Sequence, residues 1–198
     1  MLCMYYIVGL GNPGEEYADT RHNTGRIVLS TFIKDSIDGD LVVSKKYKAL
    51  VGEGKIGKEK FTVLFPETYM NKSGTSLPSL VSSIKKAHNL IVVYDDLDLP
   101  IGKIKISFNR GSGGHRGIES IVKSIKTREF IRIRIGISPV TPSGKLKKPQ
   151  GEQAVEKLIL SNFSSKEEEI LKKTKKEVNG ALELILTEGY EAGMTKFN

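Results

Sequence analysis

Apolar positions along the chain fall into two kinds of pattern, and the two kinds alternate. Met4 to Leu10 is a continuous apolar run of the length of a buried strand. Ile27, Val28, Leu29, Phe32 and Ile33 then predict a helix over about Thr24 to Ser36. Tyr47 to Lys55 and Phe61 to Phe65 are strand-like, with Gly57-Lys58-Glu59 between them as a hairpin signal. Pro66 to Gly74 is a loop. Leu77, Leu80, Val81 and Ile84 have i, i+3, i+4, i+7 spacing and predict a helix with Pro78 in its first turn.

Leu90 to Tyr94 is a second buried run, ending at the polar segment Asp95-Asp96-Leu97-Asp98-Leu99-Pro100. Lys103 to Phe108 alternates with period two, a strand with one basic face. Arg110-Gly111-Ser112-Gly113-Gly114 is a flexible turn, and Ile118, Ile121, Val122 and Ile125 mark the helix after it. Ile131 to Ile137 alternates isoleucine with Arg132 and Arg134, again predicting one basic face. Residues 138–151 are rich in Pro, Ser, Gly and Lys and predict a mobile loop. A short helix over Glu152 to Leu160 opens a helical C-terminal region, 152–190. Ser165 and Glu168 have the spacing of a capping box at the start of a last helix carrying Leu171, Val178, Leu182 and Ile185.

Alternating strands and helices predict an α/β fold: a three-layer sandwich with a mixed, largely parallel central sheet flanked by helices. The 198 residues suit a single domain. Three strand ends carry polar clusters: after Leu10, after Phe65 and after Tyr94. If those strands run parallel, the three loops meet at one edge of the sheet, where α/β sites form.

Composition adds the kind of partner. Hydrophobic residues are 38% and charged residues 27%, enough for a packed core. Residues 1–98 hold 12 basic and 12 acidic side chains, 99–150 hold 12 and 2, and 151–198 hold 7 and 9. The whole excess of +8 therefore arises in one 52-residue block, which favours a polyanion such as nucleic acid. Aromatic residues are 7%, with no Trp, so stacking platforms are not the expected binding mode. The single cysteine, Cys3, is expected to be a small buried hydrophobe, and no intrachain disulfide is possible. No basic leader and no span-length apolar stretch is present, so a soluble cytoplasmic monomer is expected.

The chemistry gathers at the three strand ends. Gly9-Leu10-Gly11-Asn12-Pro13-Gly14 matches a dinucleotide fingerprint, but the carboxylates of Glu15, Glu16 and Asp19 stand where a pyrophosphate would sit. His22 in the first loop is a candidate general base, with Asp95 to fix its tautomer. Asn12 and Asn71 are neutral groups able to hold a carbonyl and a water. Asp95, Asp96 and Asp98 resemble a hard-cation site, but neighbours on an extended segment face opposite sides, so no metal or other cofactor is expected. No nucleophile signature occurs, which points to direct attack by water. His115, after Gly113-Gly114, is either a phosphate or substrate contact or a structural residue.

Gly9 to Gly14, Tyr17, Thr20-Arg21-His22-Asn23-Thr24-Gly25, Pro66 to Gly74, Asp95 to Gly102 and Gly113-Gly114-His115-Arg116-Gly117 together resemble the bacterial peptidyl-tRNA hydrolase family. The resemblance implies hydrolysis of the ester joining peptide to tRNA, which frees tRNA for reuse. It gives His22 the role of general base, Asp95 that of its support, and Asn12 a part in telling peptidyl from aminoacyl substrate. It places Tyr17, Tyr69, Met70 and Asn71 against substrate, and it gives the basic block, including Lys103 and Lys105, the tRNA acceptor arm as partner. The family usually has asparagine where this chain has Arg116, so Arg116 is expected to bind the tRNA end instead. The alternative is a non-catalytic RNA-binding relative of the same fold.

Overall fold

The computed structural model describes residues 4–198; Cys3 lies outside them. Seven strands form one mixed sheet: β1 (Met4–Gly9), β2 (Val42–Ser44), β3 (Ala49–Ile56), β4 (Glu59–Pro66), β5 (Leu90–Pro100), β6 (Ile104–Phe108) and β7 (Ile131–Ser138). The spatial order is β2-β3-β4-β1-β5-β7-β6. The four central strands β4, β1, β5 and β7 run parallel. The outer strands β2, β3 and β6 join antiparallel.

The side-chain period of two sends alternate residues of the central strands to opposite faces. Ile7, Ile91 and Val93 pack against Phe32 of α1 (Thr24–Ser36) and Leu182 of a long C-terminal helix. Val8, Leu90 and Val92 pack on the other side against Met70, Leu77 and Ile118. The sheet is thus covered on both faces, the three-layer sandwich expected.

Several elements differ from the sequence reading, each for a local reason. Leu77, Leu80 and Val81 are buried as their spacing requires, but they sit in a turn after a 3-10 helix, Met70–Ser76, where a loop was expected. Leu80 and Val81 both donate to the carbonyl of Leu77, and the turn ends at Ser82-Ser83. Ser83 instead caps α2, which spans only Ile84–Ala87, and Ile84 is exposed. Strand β2 carries exposed Val42 and Val43 and too few residues for an alternation signal. Strand β5 does not stop at Tyr94: Asp95 and Asp96 pair with Ile135 and Gly136 of β7, so both acids sit on the strand.

The basic face expected on 131–137 is not a surface. Strand β7 lies between β5 and β6, and every one of its residues is buried. Arg132 stacks on Phe130 at 4.5 Å and donates to the Gly111 carbonyl. Arg134 donates to Asp96 at 2.6 Å. Lys105 on the edge strand β6 does face solvent.

Residues 138–151 fold back on themselves through a bridge between Val140 and Leu146. Beyond them come α4 (Glu152–Ile159), α5 (Ser165–Glu188) and α6 (Tyr190–Phe197). The capping box of α5 sits one residue earlier than expected, on Ser164 and Glu167. Arg21 holds the same Glu167 carboxylate at 2.7 Å, which fixes that frame.

Candidate active site

Strands β4, β1 and β5 are neighbours and parallel, so the segments following β1 and β4 meet the C-terminal half of β5. Their close approach depends on Gly25. A Cβ there would stand 2.3 Å from the Val93 carbonyl and 2.6 Å from the Leu10 amide, so only glycine lets α1 begin on the strand ends. The 3-10 turn Arg21–Asn23 leads into α1 and carries His22 to the carboxylate of β5.

His22 is 6% exposed, and its Nδ1 lies 2.9 Å and 3.1 Å from the two oxygens of Asp95. His115 reaches the same carboxylate, with Nε2 3.0 Å from Oδ1 and its ring centroid 5.0 Å from that of His22. The Nδ1 of His115 accepts hydrogen bonds from the amides of Gly117 and Ile118, capping α3 (Arg116–Ile125). A ring nitrogen that accepts from two amides carries no proton. The proton of His115 is therefore on Nε2, donated to Asp95. His22 likewise donates from Nδ1, and its Nε2 is left as a lone pair with no hydrogen-bond partner among the described residues.

Burial opposes charge on both members of this pair, but their mutual interaction prevails. Burial lowers the pKa of His22, the charge of Asp95 and the hydrogen bond to it raise it, and Arg116 lowers it; the net direction is up. Burial raises the carboxyl of Asp95, while His22 and His115 hold it well below the usual carboxylate range. The adjacent acid has a different environment. Asp96 points to Arg134, as the alternation of an extended strand demands.

Asn12 is locked in orientation. Its Oδ1 accepts from the Met70 amide at 2.8 Å, so its Nδ2 is the end left to face the cleft. Asn23 holds the Asn12 backbone by donating to its carbonyl and accepting from its amide. Arg21 anchors the same turn to β7 and to the C-terminal region, with its guanidinium on the Ile137 carbonyl, Ser161 and Glu167.

These groups open into a cleft of about 610 Å³. Of the residues singled out in the sequence, Asn12, Tyr17, His22, Tyr69, Met70, Asn71, Asp95, His115 and Arg116 line it. Tyr69 stands at the rim, 60% exposed, and Met70 lies at the floor, 4% exposed. Lys103 and Lys105 do not line it; they are exposed beside and on the edge strand β6. Both nitrogens of His115 are engaged within the protein, so it has none left for a phosphate.

The sequence reading did not foresee the second wall. Glu152, Val155, Glu156, Ile159 and Leu160 of the α4 segment line the cleft, with Lys148 before them. The helix itself was legible, but its place opposite His22 was not, because no pattern in 152–160 records a contact 130 residues away. Asn23 was also missed; only its position beside His22 marked it.

His22, Asp95 and His115 offer donor atoms within 4.8 Å of one another, a spacing some metal sites have. The cap on α3 argues against one. A cation would need the lone pair of His115 Nε2, which exists only if Nδ1 takes the proton and gives up two amides.

The chain is similar to known proteins along nearly its whole length. The family model described as peptidyl-tRNA hydrolase matches residues 6–198. A peptidyl-tRNA hydrolase of Carboxydothermus hydrogenoformans is 43% identical over 196 residues, 98% of each chain. One of Syntrophotalea carbinolica is 39% identical, covering 98% of this chain and 97% of its own. The crystal structure of peptidyl-tRNA hydrolase from Acinetobacter baumannii is similar at a TM-score of 0.85 and 30% identity, over 98% of this chain and 94% of that one.

Proposed function

Because the chain belongs to the peptidyl-tRNA hydrolase family, whose members are ester hydrolases, we propose that His22 is the general base that drives water onto the ester between peptide and tRNA. The observation that carries this assignment is the free Nε2 of His22, facing the cleft while Nδ1 is held by a buried carboxylate. Water gives a proton to Nε2 and its oxygen attacks the ester carbonyl. The resulting imidazolium is stabilised by Asp95 and returns the proton to the ribose oxygen as the carbon–oxygen bond breaks. The products are a peptide with a free carboxylate and a tRNA with a free terminal hydroxyl.

Asn12 Nδ2 supplies a donor for the carbonyl oxygen as it becomes negative, with Asn71 at the cleft wall as a second amide. Tyr17, Tyr69 and Met70 hold the substrate around the ester. Arg116 binds the RNA end, and Lys103 and Lys105 meet the acceptor arm along the edge strand. His115 acts through Asp95 as a positioning residue. The reading needs no metal or other cofactor, since every proton movement has a side chain to serve it. All these groups come from one chain, which suits action as a monomer, and the substrate implies a cytoplasmic setting. No helix is long and apolar enough to cross a membrane among the described residues.

The non-catalytic alternative is not supported: the curated relatives are named as the enzyme. The test is release of N-blocked peptide from tRNA by the purified protein, with and without chelator. Turnover that survives the chelator and disappears in His22→Ala is expected; turnover that survives His22→Ala would overturn the assignment.

A further inference from the structure

The second wall of the cleft carries a carboxylate in direct contact with Arg116, which stands where the family usually has asparagine. Glu152 opens α4, and its Oε1 lies 2.5 Å from Nη2 of Arg116, the first residue of α3. Both side chains line the same cleft as His22. Both are accessible, at 62% for Arg116 and 77% for Glu152. Four residues earlier, Lys148 meets Asp98 of β5 at 2.5 Å. The segment 148–152 is therefore tied across the cleft mouth by two ion pairs of opposite polarity, and α4 buries none of its residues.

We infer that Glu152 is an internal competitor for an anion subsite at Arg116: its carboxylate holds the guanidinium that a backbone phosphate of the RNA 3′ end takes over when substrate enters. The inference rests on the peptidyl-tRNA reading proposed above. A carboxylate and a phosphodiester each present two oxygens to the planar fork of a guanidinium, so they are alternative ligands for the same group. Arg116 follows His115 in the chain, and His115 holds the carboxylate of the catalytic pair. The charge of Arg116 is felt at His22. A phosphate on Arg116 would thus lie close to the reacting ester, as the 5′-phosphate of the terminal nucleotide does, one sugar away from it.

The competition is poised to be won by RNA. A solvent-exposed ion pair biases its equilibrium by no more than about five-fold. A tRNA held by other phosphate contacts presents its end at high local concentration and displaces Glu152 readily. A small ester without phosphates has no such lever. Glu152 would therefore act as a specificity-determining residue, disfavouring ligands that lack the RNA end.

Steady-state hydrolysis of N-blocked aminoacyl-tRNA by the wild type, Glu152→Gln, Arg116→Ala and the double variant tests this. It is run beside inhibition by a short ribo-oligonucleotide ending in CCA. Glu152→Gln is expected to lower both KM and the inhibition constant by up to about five-fold. Arg116→Ala is expected to raise both, and Glu152→Gln is expected to have no effect in its background. A Glu152→Gln enzyme that turns over substrate with KM and inhibition constant unchanged overturns the inference. So does an equal effect of Glu152→Gln with and without Arg116. A wild type that releases no peptide overturns the peptidyl-tRNA reading itself, a result distinct from either.

Discussion

The side-chain amide of Asn23 bonds to the backbone of Asn12 on both sides, donating to its carbonyl at 2.9 Å and accepting from its amide at 2.8 Å. Asn23 thus does for the loop after β1 what a neighbouring strand would do. Both residues are buried. Asn23→Ala leaves two backbone groups unsatisfied, at a cost of about 1–3 kcal/mol each. Because it also frees Asn12 to rotate off the Met70 amide, kcat should fall by an amount similar to that in Asn12→Ala. A melting curve with kcat for both variants checks this. A destabilised Asn23→Ala with normal kcat per folded molecule would mean that Asn12 needs no such support.

The shared carboxylate makes Asp95→Asn more damaging than loss of charge alone. An amide has one oxygen and one NH₂. His115 must keep its proton on Nε2, because Nδ1 serves two amides, so the asparagine oxygen goes to His115. The NH₂ then takes the place of Oδ2, the oxygen nearer His22 Nδ1 at 2.9 Å, and favours the His22 proton on Nε2, where the base should be. The expected loss in kcat is about 10²–10⁴-fold, similar to His22→Ala. Nitrogen NMR of His22 should show the tautomer reversed. A His22 still protonated at Nδ1 in Asp95→Asn would refute the shared-carboxylate account.

The direction of the His22 shift fixes the pH profile. Its pKa is raised above the ordinary 6.5, and the base works only when unprotonated. kcat/KM should therefore climb with pH through a midpoint above 6.5 and be depressed below it. Arg116 opposes protonation of His22, so Arg116→Ala should move that midpoint further up. Stability has the opposite sign for the two partners. The His22 contribution is present below 6.5 and fades as pH rises through the raised folded value. The Asp95 contribution is present above 3.8 and fades as pH falls toward its depressed value. A kcat/KM midpoint below 6.5 would contradict this assignment.

Legibility in the sequence followed the range of the forces involved. Helix α1 was readable to the residue because its apolar spacing and its start at Thr24 are local. The convergence of His22, Asp95, Asn12 and Asn71 was readable because continuous apolar runs suit buried strands, and strands that run parallel put their following loops on one edge. What failed was neighbourhood. The alternation Ile-Arg-Ile-Arg at 131–134 looks the same whether the strand is at an edge or flanked on both sides. Only the strand order shows that Arg132 and Arg134 are enclosed. The same limit hid the wall formed by α4 and the double role of His115, whose capping bonds depend on where Asp95 ends up.

That distinction between enclosed and exposed cations yields the final expectation. Lys103 and Lys105 are exposed, so their charges are available to phosphates without disturbing the fold. Lys103→Glu and Lys105→Glu should leave stability within about 0.5 kcal/mol of wild type. Each should weaken tRNA binding and reduce the salt slope by about 0.9 for every phosphate that is no longer neutralised. Arg134→Ala should behave differently. It strips the partner from Asp96, whose side chain is 12% exposed, and a broken buried pair costs about 3–5 kcal/mol. Its main signature should be a lower melting temperature, with any loss of binding following the unfolded fraction. Titrations of tRNA at several salt concentrations, paired with melting curves, separate the two classes. An unchanged salt slope in the Lys103→Glu/Lys105→Glu double variant would remove the edge strand from the tRNA-binding surface.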